Sequence, residues 1–279
     1  MGLSVFLLGP LDVRRDGASV APPMGRQRTI LAMLMLNPQR GVSRARLATE
    51  LYGDAPPASA AANLRSYVSG LRQWLAATAV PAAGGVLPHG DGGGWSLSLA
   101  CDDIDVRAFE SDLVAGRQAV LGGDWQVARR RLSRAVRAFR DAPLVDVAKG
   151  PVLTARATLL TSQWFAAVEE YADVLLRLGR YVLVQELLVE FLAANPTRER
   201  AWGQLMLACY RAGDTAEALR SFRTARAALL DLLGMEPGEG LDHLHRQILS
   251  RDPSLGPIRL PGHPGRQRRR VVVYPGRAG

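Results

Sequence analysis

Two stretches of this sequence have a glycine at the second position, ahead of an amphipathic helical pattern. They are Leu-Gly-Arg-Tyr at residues 178–181 and Ala-Gly-Asp-Thr at residues 212–215. Their glycines, Gly179 and Gly213, lie 34 residues apart. If each glycine is a tight turn between two helices, small and large apolar residues should follow at helical spacing, and they do. After the second glycine these residues are Ala218, Phe222 and Ala225.

A period of 34 residues is that of a tetratricopeptide hairpin, which cannot bury its apolar face without neighbouring helices. The repeat thus predicts a helical surface for protein interaction and, by itself, no chemistry. A third glycine, Gly123, opens a similar helix but lies 56 residues before Gly179, which breaks the period. We therefore expect a compact bundle with repeat ancestry instead of a long solenoid.

The length of 279 residues suffices for two domains, and 48% hydrophobic residues are typical of a globular protein. The apolar run near the N-terminus has no positive residue before it and ends at Gly9-Pro10, so we expect no signal peptide or membrane span and a cytoplasmic protein. Cys101 and Cys209 fall in different predicted domains, which predicts reduced thiols and no disulfide.

The net charge of +9 is unevenly distributed. Residues 1–100 carry nine Arg and five acidic residues, and residues 256–279 carry six Arg and no acidic residue. The middle, residues 101–255, has 20 basic and 21 acidic residues. A basic N-terminal part and a basic tail favour a nucleic-acid partner, although an Arg-rich genome would also produce this bias.

The N-terminal part reads as a small sheet, three helices and a hairpin. Short β-like runs flank the turn signal Asp16-Gly17. Helical spacing follows over residues 26–36, then a helix capped by Ser43, then a third helix over about residues 59–76. Trp95, Leu97 and Leu99 then alternate with serines, as in a strand. This order predicts a winged helix-turn-helix.

The third predicted helix has an apolar side formed by Leu64, Val68, Leu71 and Leu75. Its other side carries short polar residues and arginines, where a merely solvated helix would favour Glu and Lys. No acidic residue occurs in residues 55–90, where a carboxylate would repel phosphate. We therefore predict that this helix reads DNA in the major groove. The predicted contacts are Asn63, Arg65, Ser66, Ser69, Arg72 and Gln73.

Two other helix starts carry residues suited to phosphate binding. Arg26 and Arg28 begin the first helix, and Ser43 and Arg44 begin the second. Helix N-termini also offer free backbone N–H groups to phosphates. We predict phosphate contacts at all four, with ordinary surface residues as the alternative for each. The wing carries no Arg near its tip and should add little affinity.

Long motifs in both parts resemble the actinobacterial antibiotic regulatory proteins, the SARP family of transcriptional activators, over residues 3–255. In the N-terminal part they are LGPLDV at 8–13, RQR at 26–28, LAML at 31–34 and NLRSYVS at 63–69. In the helical part they are PTRER at 196–200, LMLA at 205–208, YRAG at 210–213, LGMEPG at 233–238 and LHRQIL at 244–249.

The resemblance implies a mainly α protein with a small β component. An N-terminal OmpR-type winged helix-turn-helix, residues 1–100, would precede an all-α tetratricopeptide-like activator domain, residues 101–255. We expect the Arg-rich tail, residues 256–279, to be disordered. Two departures stand in the third helix: Gly70 and Gln73 occupy positions where the family usually has basic residues.

The resemblance also implies the partners. The protein would bind direct repeats in double-stranded promoter DNA of an antibiotic gene cluster, as a homodimer at least on DNA. It would recruit RNA polymerase, including its sigma factor. No cofactor, metal or membrane partner is implied, and no phosphate-binding loop motif G-x-x-x-x-G-K-[ST] occurs.

Two other classes of function stay open. An enzyme would need a site that the sequence does not reveal, since His243 and His245 are two residues apart and lack the i, i+4 spacing of a helical metal pair. A tetratricopeptide scaffold with a basic N-terminal domain would bind protein or RNA in place of DNA. The sheet-first order of the N-terminal part disfavours the scaffold.

Overall fold

The computed structural model describes residues 3–37, 41–77, 85–89, 93–98 and 103–256. The chain divides into two compact units, Met1–Val174 and Leu175–Gly279. Cys101 and, apart from Gly256, the tail expected to be disordered lie outside the described residues. Within those residues, no helix is both long enough and apolar enough to cross a lipid bilayer.

The first unit begins with a four-stranded sheet. Its strands are β1 (Leu3–Phe6), β2 (Asp12–Arg15), β3 (Ala18–Ser19) and β7 (Asp103–Ile104), in the order β3-β2-β1-β7. The Asp16-Gly17 turn predicted from sequence joins β2 to β3, with φ angles of 48° and 85°. β7 pairs parallel with β1. The strand that leads into the helical part of the chain therefore completes the N-terminal sheet.

Three helices follow the first three strands: α1 (Gly25–Leu36), α2 (Arg44–Tyr52) and α3 (Ala60–Ala77). Ser43 caps α2 as predicted, because its hydroxyl oxygen accepts a hydrogen bond from the backbone N–H of Arg46 at 3.2 Å. The helices α1 and α3 begin and end within one residue of the predicted bounds.

The wing is a second sheet, with three strands. These are β4 (Val42–Ser43), β5 (Gly85–His89) and β6 (Gly94–Ser98), in the order β4-β6-β5. Trp95 pairs with Val42 across the sheet, and both side chains are buried. The hairpin expected after the third helix is present, and the whole order is that of a winged helix.

Three further helices follow: α4 (Asp105–Leu121), α5 (Trp125–Ala138) and α6 (Pro151–Arg177), the last of which continues past Val174. Gly123 has a φ angle of 73° in the turn between α4 and α5. The loop between α5 and α6, residues 139–150, contacts the N-terminal sheet and the first two helices. We call it the docking loop.

The segment after β1 is held by a carboxylate at the start of α4. The backbone N–H groups of Leu7 and Leu8 donate hydrogen bonds to Asp105 at 2.8 to 2.9 Å. Burial raises the pKa of the Asp105 carboxyl, and the same backbone hydrogen bonds oppose that shift. The backbone N–H groups of Leu7 and Leu8, which follow the end of β1, are thus paired with a side-chain acceptor.

The docking loop binds the backbone carbonyls of the same N-terminal segment. The backbone N–H of Leu144 donates to the Leu7 carbonyl at 3.0 Å, and that of Arg140 donates to the Leu8 carbonyl at 2.8 Å. Within the loop, the Lys149 ammonium donates to the Leu144 carbonyl at 2.7 Å. The segment after β1 and the docking loop are therefore joined directly through backbone groups.

Glu50 of α2 caps a helix that begins 101 residues later. Its side chain is buried, with 4% exposed, and its carboxylate accepts hydrogen bonds from the backbone N–H groups of Gly150, Val152 and Leu153 at 2.6, 2.8 and 3.2 Å. The first N–H groups of a helix have no partner within the helix, so this carboxylate satisfies three donors at the start of α6.

In its described residues, up to Gly256, the second unit contains the end of α6, four further helices and a short 3₁₀ turn. The four helices are α7 (Tyr181–Ala194), α8 (Glu199–Arg211), α9 (Thr215–Leu233) and α10 (Glu239–Leu249). Gly179 precedes α7 and Gly213 precedes α9, with φ angles of 68° and 94°, so both are turn glycines as predicted. The residues 5, 9 and 12 positions after each glycine are all buried. They are Val184, Leu188 and Phe191 after the first, and Ala218, Phe222 and Ala225 after the second.

Replacing Glu50 should destabilise the protein strongly. Glu50→Ala leaves three N–H groups at the start of α6 without acceptors, and we expect a loss of about 2–3 kcal/mol in the free energy of unfolding. Glu50→Gln keeps one acceptor oxygen and should lose less. Urea denaturation followed by circular dichroism measures the difference. The exposed Glu190 on α7 provides the control, and Glu190→Ala should change stability by less than about 0.5 kcal/mol.

Cys209 should resist thiol reagents in the native protein. It is a buried free thiol on α8, and burial raises its pKa to about 11, so almost no thiolate exists at pH 8. In a Cys101→Ser variant, Ellman's reagent should react at pH 8 only after denaturant unfolds the chain. Rapid labelling of the folded variant would contradict the buried position of this thiol.

Candidate nucleic-acid interface

The helix α3 has the two sides that the sequence predicts. Leu64, Val68, Leu71 and Leu75 are all buried in the first unit. The opposite side is open to solvent and contains five of the six DNA contacts predicted on this helix. These exposed residues are Arg65, Ser66, Ser69, Arg72 and Gln73, whereas Asn63 is half-buried at the border.

Arg26 is held beside α3 by two tyrosines. Its guanidinium donates a hydrogen bond to the Tyr67 hydroxyl at 3.2 Å, and its central carbon lies 4.7 Å from the centre of the Tyr52 ring. The hydrogen bond to Tyr67 raises the pKa of Arg26. The Tyr52 hydroxyl also accepts a hydrogen bond from the Asn63 amide at 3.4 Å. Arg26 and Asn63 therefore border the same side of α3.

The start of α2 is fixed to the wing where β6 begins. The backbone N–H of Arg44 donates to the Gly93 carbonyl at 3.1 Å, and its guanidinium lies 6.0 Å from the Trp95 ring. Ser43 is the strand partner of Gly94 as well as the cap of α2. Both predicted contact residues are exposed, so a cation and a hydroxyl are presented together where α2 meets the wing.

Arg28 differs from the other predicted phosphate contacts. Its guanidinium donates to the Leu11 carbonyl at 2.9 Å and pairs with Asp146 of the docking loop, and only 19% of its side chain is exposed. The other oxygen of Asp146 accepts the Leu11 N–H at 2.8 Å. This pairing argues against a phosphate contact and for a structural role. Sequence reasoning missed it because the partner lies 118 residues away.

The tip of the wing, residues 90–92, lies outside the described residues, so its predicted small contribution stays a prediction. Sequence reasoning also missed two neighbours of α3, Gln27 and Tyr52, and the hydrogen bond that Tyr67 of α3 accepts from Arg26. The interleaving of arginine with tyrosine in residues 26–67 was the available signal for the tyrosines. Nothing in the local pattern indicated Gln27, whose side chain lies against Gly70.

In the described residues there is no group of three or more His, Cys, Asp or Glu side chains arranged to hold a metal ion. His245 packs flat on Phe222, with ring centres 3.7 Å apart. Burial lowers the pKa of His245, which favours the neutral ring. This histidine is therefore part of the packing in the second unit.

The second unit has an apolar groove between α7, α8 and α9, with a volume of about 400 Å³. Val189 and Leu192 line it from α7, and Trp202 and Leu205 line it from α8. Trp202 is fixed by a hydrogen bond from its indole N–H to the Pro196 carbonyl at 2.9 Å. Val189 is exposed, whereas Leu192, Trp202 and Leu205 are buried. A groove with an apolar lining is suited to ligand or protein contact.

Two protein families match this chain. Residues 23–83 match the family described as Transcriptional regulatory protein, C terminal, and residues 104–249 match the Bacterial transcriptional activator domain. The first match covers α1, α2 and α3 and ends before β5, and the second begins at the end of β7 and ends with α10.

Several relatives are similar over most of the chain. The regulatory protein DnrI of Streptomyces peucetius is 31% identical over 258 residues, which cover 91% of this chain and 94% of DnrI. The transcriptional regulator RedD of Streptomyces coelicolor is 30% identical over 253 residues, which cover 91% of this chain and 72% of RedD.

A solved structure is similar as well. It is EmbR of Mycobacterium tuberculosis in complex with a low affinity phosphopeptide, with a TM-score of 0.79 and 32% identity over 89% of this chain and 65% of EmbR. These families and relatives are transcriptional regulators and not enzymes. The chain therefore belongs to the SARP family of transcriptional regulators, with an OmpR-type DNA-binding domain followed by a bacterial transcriptional activator domain.

Proposed function

We propose that the protein is a sequence-specific activator that inserts α3 into the major groove of promoter DNA. The observation that carries this proposal is the open side of α3, which combines arginines and short polar residues, has no acidic residue and is bordered by the held Arg26. The proposed target is a pair of direct repeats beside an antibiotic biosynthetic gene cluster, bound by two protomers side by side.

Different residues serve affinity and sequence reading in this proposal. Arg26, Arg44 and Arg72, with Ser43, contact phosphates and give the binding its salt dependence. Asn63, Arg65, Ser66, Ser69 and Gln73 face base edges. Arg28 is assigned to the structure of the first unit because Asp146 already neutralises it.

The helical part of the chain is proposed to face proteins. We divide the functions into DNA binding by residues 1–100, protein contact by residues 101–255 and nonspecific DNA attraction by the Arg-rich residues 256–279. The partner is RNA polymerase, including its sigma factor, and the apolar groove of the second unit supports a protein contact there. The site of action is the cytoplasm, on the nucleoid.

Arginine variants test the DNA interface. Duplexes are first enriched from a randomised pool with the full-length chain, and affinity is then measured at several salt concentrations. Arg44→Ala should weaken binding to all duplexes. It should also reduce the salt slope, the slope of log binding constant against log salt concentration, by about 1. Arg65→Ala should cost about 1–3 kcal/mol and relax the preference at one base pair.

The exposed Arg223 on α9 supplies the matched control, and Arg223→Ala should bind like the wild type. Equal affinity for enriched and scrambled duplexes would overturn sequence-specific binding. Unchanged binding by both Arg65→Ala and Arg72→Ala would favour the protein-interaction scaffold.

A pair of valines on α7 tests the protein contact. Val189 is 60% exposed and lines the groove, whereas Val182 is 62% exposed on the same helix and does not. Val189→Glu should keep DNA affinity but lower transcription by purified RNA polymerase on the order of tenfold, because a charge would have to be buried at the contact. Val182→Glu should activate normally. Equal activity of the two variants would exclude the groove as the polymerase contact.

A further inference from the structure

Gly70 is an unexpected residue in the middle of α3. Glycine is among the least favourable residues in a helix interior, and the backbone here has an ordinary negative φ angle that any residue adopts. The backbone therefore does not require glycine at this position. Close approach of another group is the remaining structural reason for it.

The group that approaches Gly70 is the side chain of Gln27 from α1. A methyl group at position 70 would collide with the Gln27 amide nitrogen, and would lie 3.0 Å from Cδ and 3.4 Å from Oε1. The adjacent Arg26 is hydrogen-bonded to Tyr67, one turn earlier on α3. The start of α1 thus crosses α3 here, and the Gln27 carboxamide occupies the space that a side chain at position 70 would fill.

The location of Gly70 on the helix decides what this carboxamide can reach. Gly70 lies four residues after Ser66 and three before Gln73, so the three share one side of α3. Ser66 and Gln73 are exposed, and Gly70 and Gln27 are half-buried at the edge of that side. The carboxamide therefore lies beside the surface proposed to enter the major groove.

We infer that Gln27 is a further specificity-determining residue, which reads a base edge from α1 through the space left open by Gly70. The inference rests on the proposed DNA-binding function. A glutamine amide offers one donor and one acceptor side by side, the pattern that pairs with N7 and N6 of adenine. Because the amide is neutral, Gln27 contributes to the choice of sequence and little to salt-dependent affinity.

The test compares the base preferences that full-length variants select from a randomised duplex pool. Gln27→Ala should lower the preference for the selected base at one base pair by a factor on the order of ten, and the salt slope of its DNA binding should stay unchanged. Gly70→Ala removes no polar group, yet it should lose the preference at the same base pair because it displaces Gln27. The double variant should match Gln27→Ala alone. Gln118→Ala, an exposed glutamine on α4, is the control and should select the wild-type sequence.

Gln27→Glu keeps the size and shape of the side chain, so it tests the chemistry even if Gln27→Ala folds poorly. A carboxylate accepts from the cytosine amino group, and the preferred base at that position should change from adenine to cytosine. If the variants lower only the thermal unfolding midpoint and select the wild-type sequence, Gln27 merely packs α1 against α3 and the inference is overturned. If the wild type itself selects no sequence, the proposed function fails instead.

Discussion

The first unit depends on carboxylates that accept hydrogen bonds from backbone N–H groups far away in the sequence. Asp105 binds the segment after β1, Asp146 binds Leu11, and Glu50 binds the first turn of α6. Each acceptor belongs to one part of the chain and its donors to another, separated by about 100 residues or more. A buried N–H without an acceptor costs free energy. Separation of any of these segments from its carboxylate would therefore be unfavourable, because it would leave backbone donors unpaired.

These contacts explain why the residues proposed to face DNA are held in position. Arg28 and Asp146 fix α1 to the docking loop, so the start of α1 keeps Arg26 and Gln27 against α3. Glu50 fixes the end of α2, while its start is joined to the wing through Arg44. A site preorganised in this way loses less conformational entropy when it binds DNA, which favours tight and selective binding.

Local patterns predicted the elements well, and distant pairings were beyond their reach. The cap at Ser43, the turn glycines and the buried side of α3 follow from residues within about one turn of each other, where spacing alone determines the contact. The roles of Arg28 and Glu50 depend on partners about 100 residues away, which no local pattern encodes. The broken 34-residue period has a related cause: the docking loop and the 27 residues of α6 lengthen the chain between Gly123 and Gly179.

The arginine bias of the chain leaves Lys149 as its one lysine, and that ammonium belongs to the docking loop, where it binds the Leu144 carbonyl. Acetylation would remove both the charge and two of its three N–H donors, whereas arginine side chains do not undergo this modification. Side-chain amine chemistry is therefore confined to a loop that joins the N-terminal sheet to the helices. A lysine-directed label would report on that junction, and acetylation of the lysine would weaken it.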